Sequence, residues 1–290
     1  MLVDFHVHST ASDGTFTPTE LAARAAAGKF RALALTDHDN CDGVVEFMSA
    51  PTDMRRIAGI ELSIEPGRGF DKFHLLGLGI DPANAALVEF QRRILEGRNR
   101  RNAQIVENFR RLGIEMATGG DDDISRYAHG AVLAKPHFGR WLMDHGYVKS
   151  VLEGFNRYLL ADSPPETRCF VERYHPSQEE AFAVVHAAGG LCVMAHPKYW
   201  RDEWKSGGCD FAAAERALAE LKEKGLDGVE ALYQANRPEE DVGFTRIAAR
   251  LGLVKSAGSD FHGLNKPTIP LGMDVDEAFI SPLLERLGAI

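Results

Sequence analysis

The sequence predicts an α/β protein: a barrel of mostly parallel strands carrying one helical insertion. Three observations carry that prediction. Strand-like and helix-like stretches alternate at both ends of the chain, the strands read as continuous apolar runs, and nearly every strand ends in His, Asp or Glu. Continuous apolar runs belong to sheets covered on both faces, and repeated strand–helix units belong to parallel sheets. At 290 residues and 44% hydrophobic content, the chain can bury one large barrel core or two smaller ones.

The first strand is LVDFHVH, from Leu2 to His8. Thr17-Pro18-Thr19-Glu20 then supplies an N-cap threonine, a proline at the first helical position and a capping-box glutamate, launching the helix ELAARAAAG. RALALTDHD is the second strand, and RIAGIELSIE and FHLLGLGI are the next two. From Asn84 to Leu112 the pattern changes to a long charged helix rich in arginine. An acidic turn, Asp121-Asp122-Asp123, precedes a second helix, AKPHFGRWLMDHG, and a shorter one around Val151. Residues 83–173 are therefore expected to form a helical subdomain packed over one end of a core built from 1–82 and 174–290. The alternation resumes with helix EEAFAVVHAAGG, strand LCVMAHP, helix AAAERALAELKEKG, strand DGVEAL, helix EDVGFTRIAARLG and strand VKSAGSDFHG. Gly189-Gly190, Gly225 and Gly252 fall where helix C-caps belong.

Composition excludes several function classes. A formal net charge of −9 and a pI near 5.7 leave no basic footprint for duplex DNA, although a local basic pocket for a phosphorylated ligand stays open. Cys41, Cys169, Cys192 and Cys209 are scattered without a Cys-x-x-Cys pair, which argues for free, mostly buried thiols. Met1 runs almost directly into a strand, and no apolar run approaches the roughly 20 residues of a membrane span. A cytoplasmic, soluble protein is expected; oligomeric state leaves no trace in the sequence.

His6 and His8, two apart on a strand, project from one face and make half a metal site. Asp13 follows in the next loop, Asp37-His38-Asp39 closes the second strand, and Glu61 lies in the third. His196 ends a later strand, and Asp260-Phe261-His262 repeats the two-residue spacing at the last. A barrel gathers these ends on one rim. His74 sits at the opposite end of its strand, so that strand either starts earlier or runs antiparallel. Taken singly, His38 reads first as a capping or hydrogen-bonding residue, Glu61 fits a buried ion-pair partner as well, and His74 a core histidine. Together, imidazoles and carboxylates without thiolate suit Zn²⁺, Mn²⁺ or Fe²⁺ in a multinuclear site. His129, His145, His175 and His186 lack patterned partners and read as surface or packing residues. Lys135, His137 and Arg140 open a helix, where unpaired N–H groups favour anions, but they also fit a solvated face.

These motifs, DFHVHSTASDG, LALTDHDNCDG, VMAHP and AGSDFHG with GIELS between, resemble those of the PHP (polymerase and histidinol phosphatase) family over most of the chain. The resemblance implies a distorted (β/α)7 TIM-like barrel and two or three divalent ions of Mn, Fe or Zn. One ion would be held by His6, His8, Glu61 and Asp260, a second by Glu61, His74 and His196, and a third by Asp13, His38 and His262. Glu61, His196 and Asp260 would then be catalytic residues, and the helical insertion would cover the active site. Within the family, the insertion and KPHFGRWLMDHGYV look like the branch of 3′,5′-nucleotide bisphosphatases and 5′-to-3′ exoribonucleases. Members often have arginine where this chain has Lys135. The implied activity is metal-dependent hydrolysis of a phosphate ester of a nucleotide or short RNA, with Lys135, His137 and Arg140 on the substrate phosphate. Two other readings share the site: a phosphatase of histidinol phosphate or another small metabolite, and amidohydrolase-type C–N hydrolysis. A non-catalytic or proofreading module of a polymerase complex is a reading of another class.

Overall fold

The computed structural model describes residues 1–66, 73–117, 119, 123–128 and 133–288. Asp121, Asp122 and His129 of the sequence reading lie outside these residues. The chain divides into two compact units, one of Met1–Gln91 with His175–Ile290 and the other of Arg92–Tyr174.

The first unit holds an eight-stranded sheet in the order β7-β6-β5-β4-β3-β2-β1-β8. Its strands are β1 (Leu2–Asp4), β2 (Ala32–Leu35), β3 (Arg55–Ile64), β4 (Phe73–Leu78), β5 (Leu191–Met194), β6 (Gly228–Tyr233), β7 (Val254–Gly258) and β8 (Met273–Asp274). The two ends of the series meet just beyond β1 and β7: Phe5 N–H donates to Ala257 O at 3.0 Å, Asp260 N–H to His6 O at 2.9 Å and His8 N–H to Phe261 O at 3.0 Å. Seven strands thus close on one another. The eighth, β8, is a two-residue antiparallel addition to Leu2 and Val3 outside the strand–helix succession. The distortion lies in β4, which pairs antiparallel with both β3 and β5.

Helices α1 (Pro18–Ala27), α2 (Val44–Ser49) and the start of α3 (Ala85–Arg111) follow the early strands of this unit. Thr17 caps α1 with the expected reciprocal bonds to Glu20. A barrel of only seven strands is narrow, and small residues such as Ala32, Ala34, Ala195 and Ala257 stand among its buried apolar cluster. A last helix, Glu277–Gly288, brings Ile280, Leu283 and Leu287 into that same cluster. A second cluster, with Val7, Leu33 and Leu35, packs under Leu21, Ala22 and Ala25 of α1. No helix among the described residues is long and apolar enough to cross a membrane.

The second unit contains most of α3, a short 3-10 turn at Ile124–Ala128, α4 (Lys135–Asp144) and α5 (Val151–Gly154), which runs into a wide turn at Phe155–Leu159. Ile105 and Phe109 of α3 pack there with Phe138, Trp141, Leu142, Tyr158 and Leu159.

Candidate metal centre

The antiparallel course of β4 resolves the position of His74. Ser63 pairs with His74 across the β3–β4 ladder, so the start of β4 lies on the rim where the parallel strands end. All nine residues singled out along the sequence then meet at one place. Glu61 is completely buried at its centre. Its Oε1 lies 2.9 Å from His74 Nδ1, 3.0 Å from His196 Nε2 and 3.3 Å from His6 Nε2. Its Oε2 lies 2.8 Å from His38 Nδ1 and 3.3 Å from His8 Nε2. Asp260 Oδ1 approaches His8 Nε2 at 3.4 Å and His6 Nε2 at 3.7 Å. Asp13 Oδ1 faces His262 Nε2 at 3.2 Å, His38 Nε2 at 3.8 Å and His8 Nδ1 at 3.9 Å.

Several of these atoms are buried without a hydrogen bond: His6 Nε2, both ring nitrogens of His8, His38 Nδ1 and Glu61 Oε2. Buried polar atoms in native proteins are nearly always satisfied, so such a concentration calls for a ligand. Among the described residues, four sets of donor atoms drawn from these side chains converge tightly enough for a cation: His8–Asp13–His38–His262, His6–Glu61–His196, His6–His8–Asp260 and His38–Glu61–His74; a fifth set, His186–Cys192–Asp227, shares none of them.

Electrostatics follow from this crowding. Burial alone would raise the Glu61 carboxyl, but His38, His6 and His74 hold it well below the usual range. Burial, together with the charges of His262 and His38, depresses His8 and keeps it neutral. His38 is partly buried, which lowers it, yet the carboxylates of Glu61 and Asp13 outweigh that and push it up to about 9.

The backbone at the rim is shaped to deliver these side chains. Asp39, His196 and Asp260 have φ of 57°, 26° and 59°, a region that costs non-glycine residues on the order of 1–3 kcal/mol each. Hydrogen bonds hold each one: Asp39 N–H to Glu61 O, His196 N–H to Glu230 Oε2 at 2.6 Å and Asp260 N–H to His6 O. Asp37, counted with the strand-end acids, binds the Ser9 amide and the hydroxyls of Ser9 and Ser12, and so fastens the loop that carries Asp13. Asp39 accepts from Ser63 N–H at 2.8 Å and ties the β2 exit to β3.

Three supporting residues were not singled out from the sequence. Glu230, fully buried on β6, accepts from His6 Nδ1 at 3.0 Å. That bond leaves His6 Nε2 as the atom facing Glu61, His8 and Asp260. Tyr233 Oη and Lys266 Nζ donate to Asp260 Oδ2 at 2.9 and 2.7 Å, which turns Oδ1 toward the imidazoles. The only available signal for Glu230 was an acid inside an otherwise apolar strand.

Lys135, His137 and Arg140 lie on α4 in the second unit. Lys135 Nζ stands 4.4 Å from the centre of the Phe170 ring, His137 Nδ1 accepts from Ala134 N–H at 2.9 Å, and exposed Arg140 pairs with Asp144 at 3.1 Å. His145 stacks on Trp141, and His186 bonds Asp227, consistent with packing roles. All four cysteines are free.

A family model described as "PHP domain" matches residues 4–224. The chain is 35% identical over 267 residues to a 3′,5′-nucleoside bisphosphate phosphatase of Chromobacterium violaceum, covering 90% of this chain and 87% of that one. It is 30% identical to the 5′-3′ exoribonuclease Rnm of Escherichia coli, covering 90% and 85% of the two chains. A solved structure from Chromobacterium violaceum, described as an amidohydrolase with bound sulfate, superposes with a TM-score of 0.79 at 32% identity over 98% of this chain and 96% of that one. Another from Bifidobacterium adolescentis, provisionally described as a metal-dependent phosphoesterase, does so with a TM-score of 0.76 at 26% identity over 98% and 96%. With its converging histidines and acids on a closed seven-strand rim, the chain belongs to the PHP domain family.

Proposed function

We propose that this protein is a metal-dependent phosphoester hydrolase whose substrate is a nucleotide or short oligonucleotide. The observation that carries the reading is Glu61, a buried carboxylate with five imidazoles within 3.3 Å. The donor set fits divalent ions: nitrogen and carboxylate oxygen, no thiolate, and buried ring nitrogens without another partner. We assign His6, His8, Glu61 and Asp260 to one ion, Glu61, His74 and His196 to a second, and Asp13, His38 and His262 to a third, with Mn, Fe or Zn as occupants. Such ions, when bound, lower the pKa of water toward neutrality and offset charge on phosphoryl oxygens.

The chain's own residues do the positioning. Glu230 fixes the tautomer and plane of His6, and through the His196 amide it also fixes the turn that presents His196. Tyr233 and Lys266 hold Asp260, and burial followed by the Asp260 charge keeps the Tyr233 hydroxyl protonated as a donor. Lys135, His137 and Arg140 are proposed contacts for the substrate phosphate. The printed activities of the relatives, on 3′,5′-nucleoside bisphosphates and on RNA from the 5′ end, support the substrate class.

One solved relative is described as an amidohydrolase, which favours C–N hydrolysis as a second reading. Amidohydrolases commonly bridge their ions with a carboxylated lysine. Here Glu61 takes the central position, and that favours phosphoesters. Metal-reconstituted protein should hydrolyse adenosine 3′,5′-bisphosphate or short 5′-phosphorylated RNA faster than histidinol phosphate or an amide panel. His8→Ala and Asp260→Ala should each abolish turnover without unfolding the chain. Full activity in either variant, or preference for the amides, refutes the reading.

A further inference from the structure

We propose that His186, Cys192 and Asp227 form a second metal site, suited to Zn²⁺, at the end of the barrel opposite the candidate metal centre. One donor atom from each side chain lies within 4.8 Å of the other two. The three come from separate segments of one unit: His186 from the last turn of the helix Gln178–Ala187, Cys192 from β5 and Asp227 from the position just before β6. Strands β5 and β6 run parallel, with Val193 opposite Gly228, so both donors enter where those strands begin. His196, on the metal rim, follows the far end of β5.

Local geometry builds the convergence. Successive residues of a strand face opposite ways. Leu191, Val193 and Ala195 belong to the apolar cluster of the barrel, so Cys192 turns outward to the covering helix. Its thiol reaches Phe182 O at 3.8 Å, and His186 stands one turn further along the same helix face. Gly225 makes room for the imidazole: its φ is 118°, and a Cβ there would stand 3.1 Å from His186 Cε1. Asp227 then meets His186 Nε2 through Oδ2 at 2.8 Å. The Cys192 amide donates to Oδ2 at 2.9 Å and Arg286 to Oδ1 at 2.7 Å, which fixes the carboxylate. Hydrogen bonds of that kind orient metal ligands.

The chemistry of the donors selects the ion. A tie between helix and strand needs only the His186–Asp227 pair. Cys192 adds a fully buried sulfur whose thiol is a weak donor at long range. One thiolate, one imidazole and one carboxylate suit Zn²⁺, which keeps a fourth position for water when it has three protein ligands. Exposed His186 and half-buried Asp227 give an ion a path from solvent, although the sulfur is enclosed. Burial, then the Asp227 carboxylate, push the Cys192 thiol far up, so it is protonated in the metal-free chain and releases its proton to solvent when an ion binds. The N-terminal ends of barrel strands serve stability rather than catalysis. An ion here fastens the helix to the start of two strands and touches no substrate.

The test is titration of Co²⁺ alone into the chelator-stripped full-length chain, read by absorption. Sulfur bound to Co²⁺ gives an intense near-ultraviolet charge-transfer band, and the nitrogen and oxygen donors of the candidate centre give none. The wild type should show the band, and His8→Ala, which removes a donor of the candidate centre, should show it undiminished. Cys192→Ser should lose the band and, by elemental analysis after Zn²⁺ loading, hold one ion fewer per chain than the wild type. His186→Gln, at an exposed position, should raise the Co²⁺ concentration at half-maximal band by about tenfold or more, and it decides the matter if Cys192→Ser does not fold. A wild type without the band overturns the proposal. So does a band that survives Cys192→Ser, keeps its wild-type affinity in His186→Gln or vanishes in His8→Ala.

Discussion

Gly258 has no side chain because Glu230 occupies that space. A Cβ at this position would stand 2.1 Å from Glu230 Oε1 and 2.5 Å from His6 Cβ. The missing methyl lets a carboxylate on β6 reach across β7 to His6 Nδ1 on the far side of the barrel seam. Carboxylates that orient a metal-binding imidazole contribute on the order of 10–100-fold to metal affinity. Glu230→Gln should therefore weaken metal binding by about that factor, measured by competition with a chromogenic chelator. Gly258→Ala should cause a comparable loss by displacing Glu230. Wild-type affinity in both variants would remove Glu230 from the site. The contrast with His6 explains what the sequence could reveal at this scale. His6 and His8 carry their own geometry in a two-residue spacing, and Asp260 and His262 repeat it. Glu230 is one acid in GVEAL, and its partner lies 224 residues away, so only the closed barrel brings them together.

Individual elements divide in the same way. The start of helix α1 was legible to the residue, because Thr17, Pro18 and Glu20 are local signals acting over a single turn. The length of α3 was legible from its charge pattern. The direction of β4 was not, since a strand's apolar run looks the same from either end; His74 at its start left both possibilities open. The C-terminal helix and β8 lay beyond the last strand–helix unit identified, and they owe their places to tertiary packing: apolar contacts below the barrel and a two-residue ladder on β1.

Elements are also tied by single acids, and Asp227 is the clearest case. It accepts from the Cys192 amide on β5 at 2.9 Å, pairs with His186 on α6 (Gln178–Ala187) at 2.8 Å and with Arg286 of the last helix at 2.7 Å. Partial burial raises its carboxyl, but these partners outweigh burial and lower it below the ordinary value. A depressed acid stabilises the fold fully above its unfolded pKa, about 3.9, and that contribution disappears as pH falls through the lower folded value. Asp227→Asn should thus destabilise the chain by about 1–3 kcal/mol at pH 7. The gap in urea midpoints between variant and wild type should narrow as pH drops below about 4. A gap independent of pH would assign the effect to shape alone.

At the scale of the whole molecule, the barrel spends core positions on charge. Glu61, His6 and His8 are wholly inaccessible, and Asp260 and His262 nearly so. Without ions, protons must balance this cluster. His6, despite its burial, is held well above its ordinary value by Glu230 and Glu61, and His38 is raised to about 9 by Glu61 and Asp13 against the opposing effect of burial. A raised histidine stabilises the metal-free chain fully below its unfolded pKa, near 6.5, and that contribution is lost as pH climbs through the folded value. Metal ligation demands the opposite, a neutral imidazole, so each such histidine releases a proton when an ion binds. The two demands compete across the window from about 6.5 to 9. The metal-free chain should lose stability through that window while metal affinity rises. The melting temperature gained on adding Mn²⁺ or Zn²⁺ should therefore be larger at pH 8.5 than at pH 6.5. Saturating metal, at about 1,000 times its dissociation constant, would add roughly 4 kcal/mol. Calorimetry in buffers of different ionisation enthalpy should register net proton release on binding at pH 7.5. A metal-induced gain that stays constant across the window, with no proton release, would mean that the ions do not sit among His6, His38 and Glu61.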